Sequence, residues 1–318
     1  MATGNYVLIS PCRNEAQFMR RTLDSVINQT IKPALWVIVD DGSTDETPYI
    51  LASYASKYDF IKILSRKNRG HRSVGPGVIE AFYTGFNSIN VDKYEYICKL
   101  DLDLDLPNRY FEILFQLFNE NPRLGTCSGK PYFRDKNGKL VSEKCGNENS
   151  VGMIKLFRMS CFKQIGGFVH QVMWDAIDGH RCRMLGWIAC SWDKPEIRFI
   201  HLRPMGSSHK SMLTGRMRHG FGQYFMGTGF IYMTVSALYR MTRPPFIVGG
   251  FFMWLGYMKS MLTRTGSLND RKLKKFLNSY QWSCLVRGKD TATKLLNEKR
   301  AVFWNPDNTN SYVAKMDM

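Results

Sequence analysis

Three aspartates, Asp101, Asp103 and Asp105, alternate with leucines between Lys99 and Pro107. In an extended chain this spacing places the carboxylates on one face and the leucines on the other. Because carboxylates repel one another, three on one face indicate a bound cation. Oxygen ligands suit Mg²⁺ or Mn²⁺, which often also bind a substrate phosphate. The alternative at this point is an exposed strand with a solvated acidic face.

The segments around the aspartates predict strands that alternate with helices. Apolar runs indicate strands at residues 6–10, 35–39, 60–64 and 94–100, and helical patterns lie between them at residues 15–29, 47–58 and 78–88. This alternation predicts a mostly parallel sheet with helices on both faces, which binds ligands at the carboxyl ends of its strands. Pro11, Asp40 with Asp41, and Asp101 with Asp103 follow strand ends, so we expect them to converge.

The regular alternation fades after residue 124. Residues 135–139 indicate the turn of a hairpin, and residues 175–185 indicate a helix that ends at Gly186. A short strand is expected at residues 197–201, which places His201 at its end.

The composition is that of a globular protein with excess positive charge. The chain has 318 residues, is 44% hydrophobic and carries a formal net charge of +17. Residues 201–300 contain 17 Lys or Arg and three acidic residues, a net charge of +14. Such a surface attracts nucleic acids, acidic lipid headgroups or phosphorylated substrates, and charge alone does not choose between them. The eight cysteines include no Cys-x-x-Cys pair, which predicts reduced thiols rather than disulfides or a zinc site.

Residues 245–258 are strongly apolar, and Arg240, Arg243, Lys259 and Arg264 flank them. The stretch is shorter than the roughly 20 residues of a transmembrane helix. Aromatic and apolar residues with basic flanks are typical of a segment that lies in a membrane interface. A buried helix or a dimer contact is the alternative. The N-terminus has no basic region followed by an apolar run, so no secretory signal is predicted.

The order of short motifs resembles that of the family 2 glycosyltransferases, whose fold is of the GT-A type. Each motif is weak alone, but their order and spacing over roughly residues 5–210 are specific together. The motifs are residues 10–15, 25–30, 39–45 and 68–70, Asp101 and Asp103 with Pro107, residues 157–158 before 166–168, Asp175 with Arg181, Arg183 and Gly186, and His201.

The resemblance implies a role for each candidate site residue. The nucleotide-sugar would contact Pro11, Arg13, Glu15, Asp41, Asn68, Asp101 and Asp103. Asp41 is placed to accept a hydrogen bond from a uracil N–H. Turn formation and helix N-capping are the alternative roles of Asp40 and Asp45, and for Asp45 we expect the structural role. Asp101, Asp103 and His201 would bind Mn²⁺ or Mg²⁺, which offsets charge on the departing diphosphate. Asp105 is the rival register, and Pro107 favours the first pair.

Asp175 lies where the family places its general base, which activates an acceptor hydroxyl. The family usually has Glu-Asp there, whereas this chain has Trp174 before Asp175, and Asp178 is a competing base. Two basic segments, residues 206–210 and 215–220, could cover the diphosphate or form a solvated loop.

The sequence therefore predicts a metal-dependent inverting glycosyltransferase with an α/β fold of the GT-A type. Residues 1–210 would form the catalytic domain, and residues 211–318 a basic helical region. The expected partners are a nucleoside diphosphate sugar, most simply a UDP-sugar, a glycan or lipid-linked acceptor, an anionic membrane surface and a second copy of the chain, without nucleic acid. The expected location is cytoplasmic, on the inner face of the membrane. The alternatives are a nucleotidyltransferase of similar fold and a basic nucleic-acid-binding protein.

Overall fold

The computed structural model describes residues 4–71, 75–203, 212–309 and 312. Its strands are β1 (Tyr6–Cys12), β2 (Leu35–Asp40), β3 (Ile61–Ser65), β4 (Tyr96–Leu100), β5 (Leu104–Asp105), β6 (Leu124–Ser128), β7 (Pro131–Arg134), β8 (Leu140–Ser142), β9 (Ile154–Arg158), β10 (Ile188–Ser191) and β11 (Phe199–His201). Its α-helices are α1 (Met19–Ile27), α2 (Thr47–Ala55), α3 (Pro76–Phe86), α4 (Tyr110–Glu120), α5 (Met159–Gln164), α6 (Trp174–Met184), α7 (Met212–Met226), α8 (Phe230–Met241), α9 (Val248–Leu262), α10 (Arg271–Arg287) and α11 (Lys289–Lys299). Short 3₁₀ helices lie at Val91–Lys93, Pro195–Ile197 and Ala301–Phe303.

The central sheet has seven strands in the order β10-β6-β9-β4-β1-β2-β3. β1 is parallel to both β2 and β4, and β3 extends the parallel set. β9 runs antiparallel between β4 and β6. A smaller sheet has four strands in the order β5-β11-β7-β8, and the predicted turn at residues 135–139 joins β7 to β8. The mostly parallel α/β fold predicted from the sequence is therefore confirmed.

Alternate side chains of β1 pack on opposite faces of the central sheet. Tyr6 and Leu8 belong to a hydrophobic cluster with α1, α2 and α4. Val7 and Ile9 belong to a second cluster with α3, α5 and α6. Because helices cover both faces, every residue of β1 is buried, as is usual for a central parallel strand. This packing fixes the carboxyl end of β1 at the end of the sheet where the parallel strands finish.

The aspartate stretch does not form the single continuous strand that its alternation predicts. β4 ends at Leu100, and after a bend only β5 is extended, where it pairs with β11 of the smaller sheet. The leucine side was predicted correctly, since Leu100, Leu102, Leu104 and Leu106 are at most 3% exposed. Strands of the central sheet are buried on both faces, and burying three carboxylates on one face would be too costly. The chain therefore leaves the central sheet after β4 and joins the smaller sheet.

The predicted helices form with shifted ends. α1 begins at Met19 rather than at residue 15, because the carbonyl of Glu15 accepts hydrogen bonds from the N–H groups of Phe18 and Met19 in a preceding turn. α6 begins at Trp174, within one residue of the prediction. The positions of the side chains that matter for the cavity are therefore close to those expected.

Helices α7 to α11 form the C-terminal part of the described chain. α7 and α9 approach closely at two glycines. A Cβ atom on Gly220 would lie 2.0 Å from the carbonyl oxygen of Met253, and one on Gly256 would lie 2.1 Å from that of Met217. Larger residues would therefore separate the two helices. None of the helices in the described part of the chain is both long and apolar enough to cross a membrane.

Residues 245–258 divide into a buried part and an exposed part. One face of α9 packs inward through its small residues and through Met253 and Tyr257. Phe246 and Ile247, just before α9, are instead 63% and 68% exposed. We call the exposed surface at the end of α8 and the start of α9 the α8–α9 tip. Its residues are Leu238, Tyr239, Arg240, Arg243, Phe246 and Ile247.

A buried ion pair joins β9 to α6. The Nζ atom of Lys155 lies 2.6 Å from the carboxylate of Asp178, and neither side chain is exposed. Lys155 also donates to the backbone carbonyl of Asp175 at 2.7 Å. Burial raises the pKa of Asp178 to about 6, although the charge of Lys155 opposes that rise. The pair fixes the first turn of α6, and with it Asp175, against the sheet.

Replacing Asp178 with Asn should destabilise the fold, because the buried charge of Lys155 would lose its partner. Breaking a buried ion pair from one side costs roughly 3–5 kcal/mol. The free energy of unfolding from urea denaturation measures this loss. The double variant Lys155→Met/Asp178→Asn carries no unpaired charge and should be more stable than Asp178→Asn alone. Equal stability of the single and double variants would contradict this explanation.

Candidate active site

A cavity of about 620 Å³ lies at the carboxyl ends of β1 and β4. Its volume is within the roughly 300–1,000 Å³ range of small-molecule sites. Arg13, Asp41, Asp101, Asp175 and His201 all contribute to its walls. Arg13, Asp41 and Asp101 follow β1, β2 and β4. Asp175 lies in the first turn of α6, and His201 is the last residue of β11, so distant parts of the sequence meet here. The predicted convergence of polar clusters at one edge of the sheet is confirmed.

The loop after β1 forms one end of the cavity. Pro11, Arg13 and Glu15 line it. Asn68 is not among the described residues that line the cavity, but its Oδ1 accepts a hydrogen bond from Arg13 at 2.6 Å. Arg13 also donates to the backbone carbonyl of Asp41. Asn68 therefore positions the side chain of Arg13, which lines the cavity.

Two arginines bind the carboxylate of Asp41. Arg66 donates to Oδ1 at 2.8 Å, and Arg69 donates to Oδ1 and Oδ2 at 2.7 and 2.9 Å. A carboxylate offers about four lone-pair positions, so these three bonds leave about one for a ligand. Sequence reasoning placed Arg69 in the motif at residues 68–70 without giving it a role, and it missed Arg66. Both arginines follow β3, which pairs with β2, so their position in the sequence could have predicted that they lie near Asp41.

Asp40 and Asp45 have structural roles, although Glu46 and not Asp45 is the N-cap residue of α2. Oδ1 of Asp40 accepts a hydrogen bond from the N–H of Ser43 at 2.9 Å and closes the turn after β2. Oδ1 of Asp45 accepts from the N–H of Thr47, the first residue of α2, at 3.0 Å. Asp41 is therefore the residue of this loop whose carboxylate serves the cavity.

Asp101 and Asp103 line the cavity, whereas Asp105 pairs with Arg21 outside it. This placement agrees with the register that Pro107 favours. Nζ of Lys99 lies 2.5 Å from Oδ1 of Asp101, and the Lys99 side chain is only 2% exposed. A buried ammonium thus stands beside the first aspartate, and sequence reasoning did not assign it a role.

His201 connects Asp103 to Glu143, a residue after β8 that sequence reasoning missed. Its Nδ1 lies 3.0 Å from Oε1 of Glu143, and its Nε2 lies 3.6 Å from Oδ2 of Asp103. Burial lowers the pKa of His201, but the two carboxylates outweigh burial and raise that pKa to about 9. Burial raises the pKa of Asp103, but the hydrogen bond to His201 and the charge of His201 outweigh burial and lower that pKa. At neutral pH His201 is therefore an imidazolium between two carboxylates.

One carboxylate oxygen of this group fits a cation. Oδ1 of Asp103 is buried without a hydrogen-bond partner, which is costly unless a ligand meets it. Across residues 4–71, 75–203 and 212–309, no three His, Cys, Asp or Glu side chains are already grouped to hold a metal ion. Cations that bind substrate phosphates, however, typically use only one or two protein carboxylates. The Asp101 and Asp103 pair has the chemistry for such a cation.

Asp175 faces the cavity from the first turn of α6. Its carboxylate lies against Gly152, where a Cβ atom would be 2.6 Å from Oδ2 of Asp175. The competing Asp178 is enclosed with Lys155 and does not line the cavity. Trp174 lines the cavity while packing edge-on against Phe168, with ring centroids 4.7 Å apart. Of the two candidate bases, Asp175 is the one that a substrate can reach.

The two basic segments have different outcomes. Residues 206–210 lie outside the described residues. Residues 215–220 belong to α7, which forms a wall of the cavity through Gly215, Arg218 and His219. The sequence predicted a loop there, and the helix corrects it. Arg203, just after β11, also lines the cavity and bonds to Glu15.

Comparison with known proteins gives a family match. The model of the family described as Glycosyl transferase family 2 matches residues 7–173, just over half of the chain. A poly-beta-1,6-N-acetyl-D-glucosamine synthase from Staphylococcus epidermidis is 26% identical over 174 residues, which cover 49% of this chain and 40% of that protein. The protein of the same description from Staphylococcus aureus strain COL is 26% identical over 130 residues, 41% of this chain and 29% of that protein. The match thus spans less than half the length of these curated relatives.

Solved structures resemble the fold at low sequence identity. The crystal structure of S. aureus TarS aligns with a TM-score of 0.50 and 14% identity, covering 93% of this chain and 55% of that chain. A mannosyltransferase, PcManGT from Pyrobaculum calidifontis, solved with GDP-Man and Mn²⁺, has a TM-score of 0.49 and 16% identity, covering 94% and 87%. At such identities the TarS likeness concerns the fold alone. With the family match over residues 7–173 and the mostly parallel sheet, the chain belongs to glycosyl transferase family 2 and has a fold of the GT-A type.

Proposed function

We propose that the protein is a metal-dependent, inverting glycosyltransferase that moves a sugar from a UDP-sugar to a lipid-linked or polysaccharide acceptor. The observation that carries this proposal is the single cavity shared by Asp41, the Asp101 and Asp103 pair, and Asp175. These carboxylates suit three tasks, namely base recognition, diphosphate binding and proton removal. Residues 1–210 would form the catalytic domain, and residues 211–318 would approach the acceptor and the membrane.

The hydrogen bonds that Asp41 already accepts favour a uracil base. An ionised carboxylate only accepts hydrogen bonds, so it needs a ring N–H from its ligand. Adenine and cytosine present a bare ring nitrogen at that edge, whereas uracil and guanine present an N–H. Guanine would bring two adjacent donors, but Arg66 and Arg69 leave about one lone-pair position on Asp41. Uracil, with its one ring N–H, fits that remaining position.

The diphosphate of the donor would lie near Asp101 and Asp103, which together with His201 would hold Mn²⁺ or Mg²⁺. When bound, the cation would offset the negative charge that develops on the departing diphosphate. As a ligand of the cation, His201 would have to be a neutral imidazole, with Nε2 toward the cation and the Nδ1–H group donating to Glu143.

Asp175 is the proposed general base. An acceptor hydroxyl is a poor nucleophile until its proton is leaving, and a carboxylate within reach can take that proton. The hydroxyl oxygen would bond to the anomeric carbon as the bond from that carbon to the diphosphate oxygen breaks. UDP would leave with the electron pair, and attack opposite UDP would invert the anomeric centre. Lys155, through its bond to the Asp175 carbonyl, would keep the base in position.

The alternatives account for less of the structure. A nucleotidyltransferase would need a glycine-rich, lysine-bearing loop after β1, which residues 10–15 do not supply. A nucleic-acid-binding protein would explain the basic charge but not the carboxylates gathered in the cavity. Release of UDP from a UDP-sugar by the purified protein would distinguish a glycosyltransferase from both.

The polymer synthases among the relatives support a glycan product. Their printed description names a chain of β-1,6-linked N-acetylglucosamine, and the match covers 40% of the S. epidermidis protein. On this basis we propose a glycan or lipid-linked acceptor for the present protein.

The α8–α9 tip is the proposed membrane contact. Leu238 and Tyr239 are 56% and 59% exposed, and Phe246 and Ile247 are still more exposed. Arg243 lies over the Tyr239 ring at 4.7 Å, so cations border the apolar side chains. Apolar groups with a basic border suit the interface of a bilayer that contains anionic lipids. The tip would hold a lipid-linked acceptor near the cavity.

Asp175→Asn should keep donor binding and lose turnover, because Asn has the same shape but no basicity. The expected fall in turnover is roughly 10²–10⁴-fold. Calorimetry gives donor affinity, and UDP release gives turnover on the UDP-sugar that wild type cleaves fastest. Glu148→Gln is the matched control, since Glu148 lines the cavity but is already paired with Lys289. Near-normal turnover in Asp175→Asn would exclude it as the base, and lost donor affinity would make it a binding residue.

Phe246→Ser/Ile247→Ser should weaken flotation with vesicles that contain anionic lipids, because the variant removes the apolar part of the tip. Wild type should float, less so in high salt, which screens the arginines. Leu262→Ser at the other end of α9 is the control, since Leu262 is 74% exposed but lies outside the tip. Equal flotation of the tip variant and wild type, or no flotation of wild type, would contradict membrane contact through the tip.

A further inference from the structure

Two buried lysines face each other on neighbouring strands of the central sheet. Lys99 of β4 and Lys155 of β9 are directly opposite in the register of this antiparallel pair. Their side chains are only 2% and 0% exposed. Like charges in opposite positions repel each other, and little water is present here to screen the repulsion. The two ammonium groups therefore need partners close by.

Each lysine also holds a residue of the proposed site. Lys99 bonds to Oδ1 of Asp101 at 2.5 Å and donates to the backbone carbonyl of Gly152 at 2.9 Å. The carboxylate of Asp175 lies against Gly152. Lys155 donates to the backbone carbonyl of Asp175 at 2.7 Å. A shift of either ammonium group would therefore displace an aspartate that the proposed reaction needs.

The indole ring of Trp174 is a partner that the two lysines share. The Nζ atom of Lys99 lies over the ring at 5.3 Å from its centroid, and that of Lys155 lies at 5.8 Å. Both distances are within the roughly 6 Å of a cation–π contact, which is strongest for tryptophan and for cations removed from water. The electron-rich face of one ring thus lies close to both buried charges.

The burial of Trp174 argues against its use as a platform for a sugar. A sugar that stacks on an aromatic side chain needs an open face of the ring. Trp174 borders the cavity but is only 8% exposed, and Phe168 packs against it as well. Most of the ring surface is therefore already in contact with protein groups.

We propose that Trp174 is a positioning residue, whose indole ring stabilises the opposed ammonium groups of Lys99 and Lys155 while they hold Asp101 and Asp175. The inference rests on the proposed glycosyl transfer, which gives these two aspartates their tasks. A smaller apolar residue in place of Trp174 would leave the repulsion between the lysines without the ring. Lys99 would then hold the Asp101 side chain less firmly.

The test is a calorimetric titration with UDP in the presence of Mn²⁺. UDP carries no sugar, so a residue that only stacks on a sugar would not change its affinity. Trp174→Leu should bind UDP roughly threefold to thirtyfold more weakly, the range that corresponds to a cation–π contact. Trp174→Phe keeps a ring that attracts cations less strongly, so it should retain part of the affinity. Phe168→Leu is the control, since it removes a ring that packs on Trp174 but leaves the indole, and it should bind UDP like wild type.

The same comparison in a Lys99→Met background shows whether Trp174 acts through Lys99. Once the ammonium group is absent, Trp174→Leu should weaken UDP binding by less than about twofold, because contacting residues are not additive. Trp174→Phe provides the comparison in both backgrounds if Trp174→Leu does not fold. An equal loss with and without Lys99 would overturn the proposal, and so would unchanged UDP affinity in both Trp174 variants.

Failure of wild type to bind UDP would instead refute the proposed function. Trp174 would then be tested by urea denaturation, which needs no donor. Trp174→Leu should lower the free energy of unfolding more in wild type than in Lys99→Met, because only wild type has both ammonium groups beside the ring. Equal losses in the two backgrounds would show that the ring does not stabilise Lys99 and would overturn the proposal.

Discussion

The charge balance at the carboxyl edge of the central sheet is the constraint on which the other features depend. Carboxylates that leave water need cations or hydrogen-bond donors, and Asp41, Asp101 and Asp103 each meet at least one cation here. Arg66 and Arg69 bind Asp41, Lys99 binds Asp101, and His201 lies beside Asp103. The cavity can therefore hold several acids in a folded protein and still keep a buried oxygen of Asp103 without a partner.

The same balance separates residues that serve the cavity from residues that support it. Asp178 is neutralised by Lys155 within the fold, and its removal is a matter of stability. Asp175, three residues earlier, shares the same lysine only through its backbone carbonyl, so its carboxylate is left to face the cavity. The buried ammonium of Lys155 thus anchors α6 and positions the proposed base, Asp175. Gly152 allows this placement because it has no side chain to collide with Asp175.

Much of the fold and part of the site could be predicted from local sequence signals. Apolar runs and the polar residues that follow them predicted β1 to β4 and their shared edge, and the leucines beside the aspartates predicted the buried side correctly. The antiparallel insertion of β9 between β4 and β6 depends on long-range pairing that no local pattern encodes. The partners Glu143 and Arg66 were missed for the same reason, since each meets its site only through tertiary packing.

The most direct test of the metal and nucleotide site is the affinity for UDP measured by calorimetry with Mn²⁺ and with excess chelator, in wild type, Asp103→Asn and Asp105→Asn. We expect wild type and Asp105→Asn to bind UDP tightly only with Mn²⁺, because Asp105 pairs with Arg21 outside the cavity. Asp103→Asn should bind at least roughly tenfold more weakly, since it loses a charged cation ligand. Equal UDP affinity in Asp103→Asn and wild type, or binding that the chelator does not change, would contradict the proposed site.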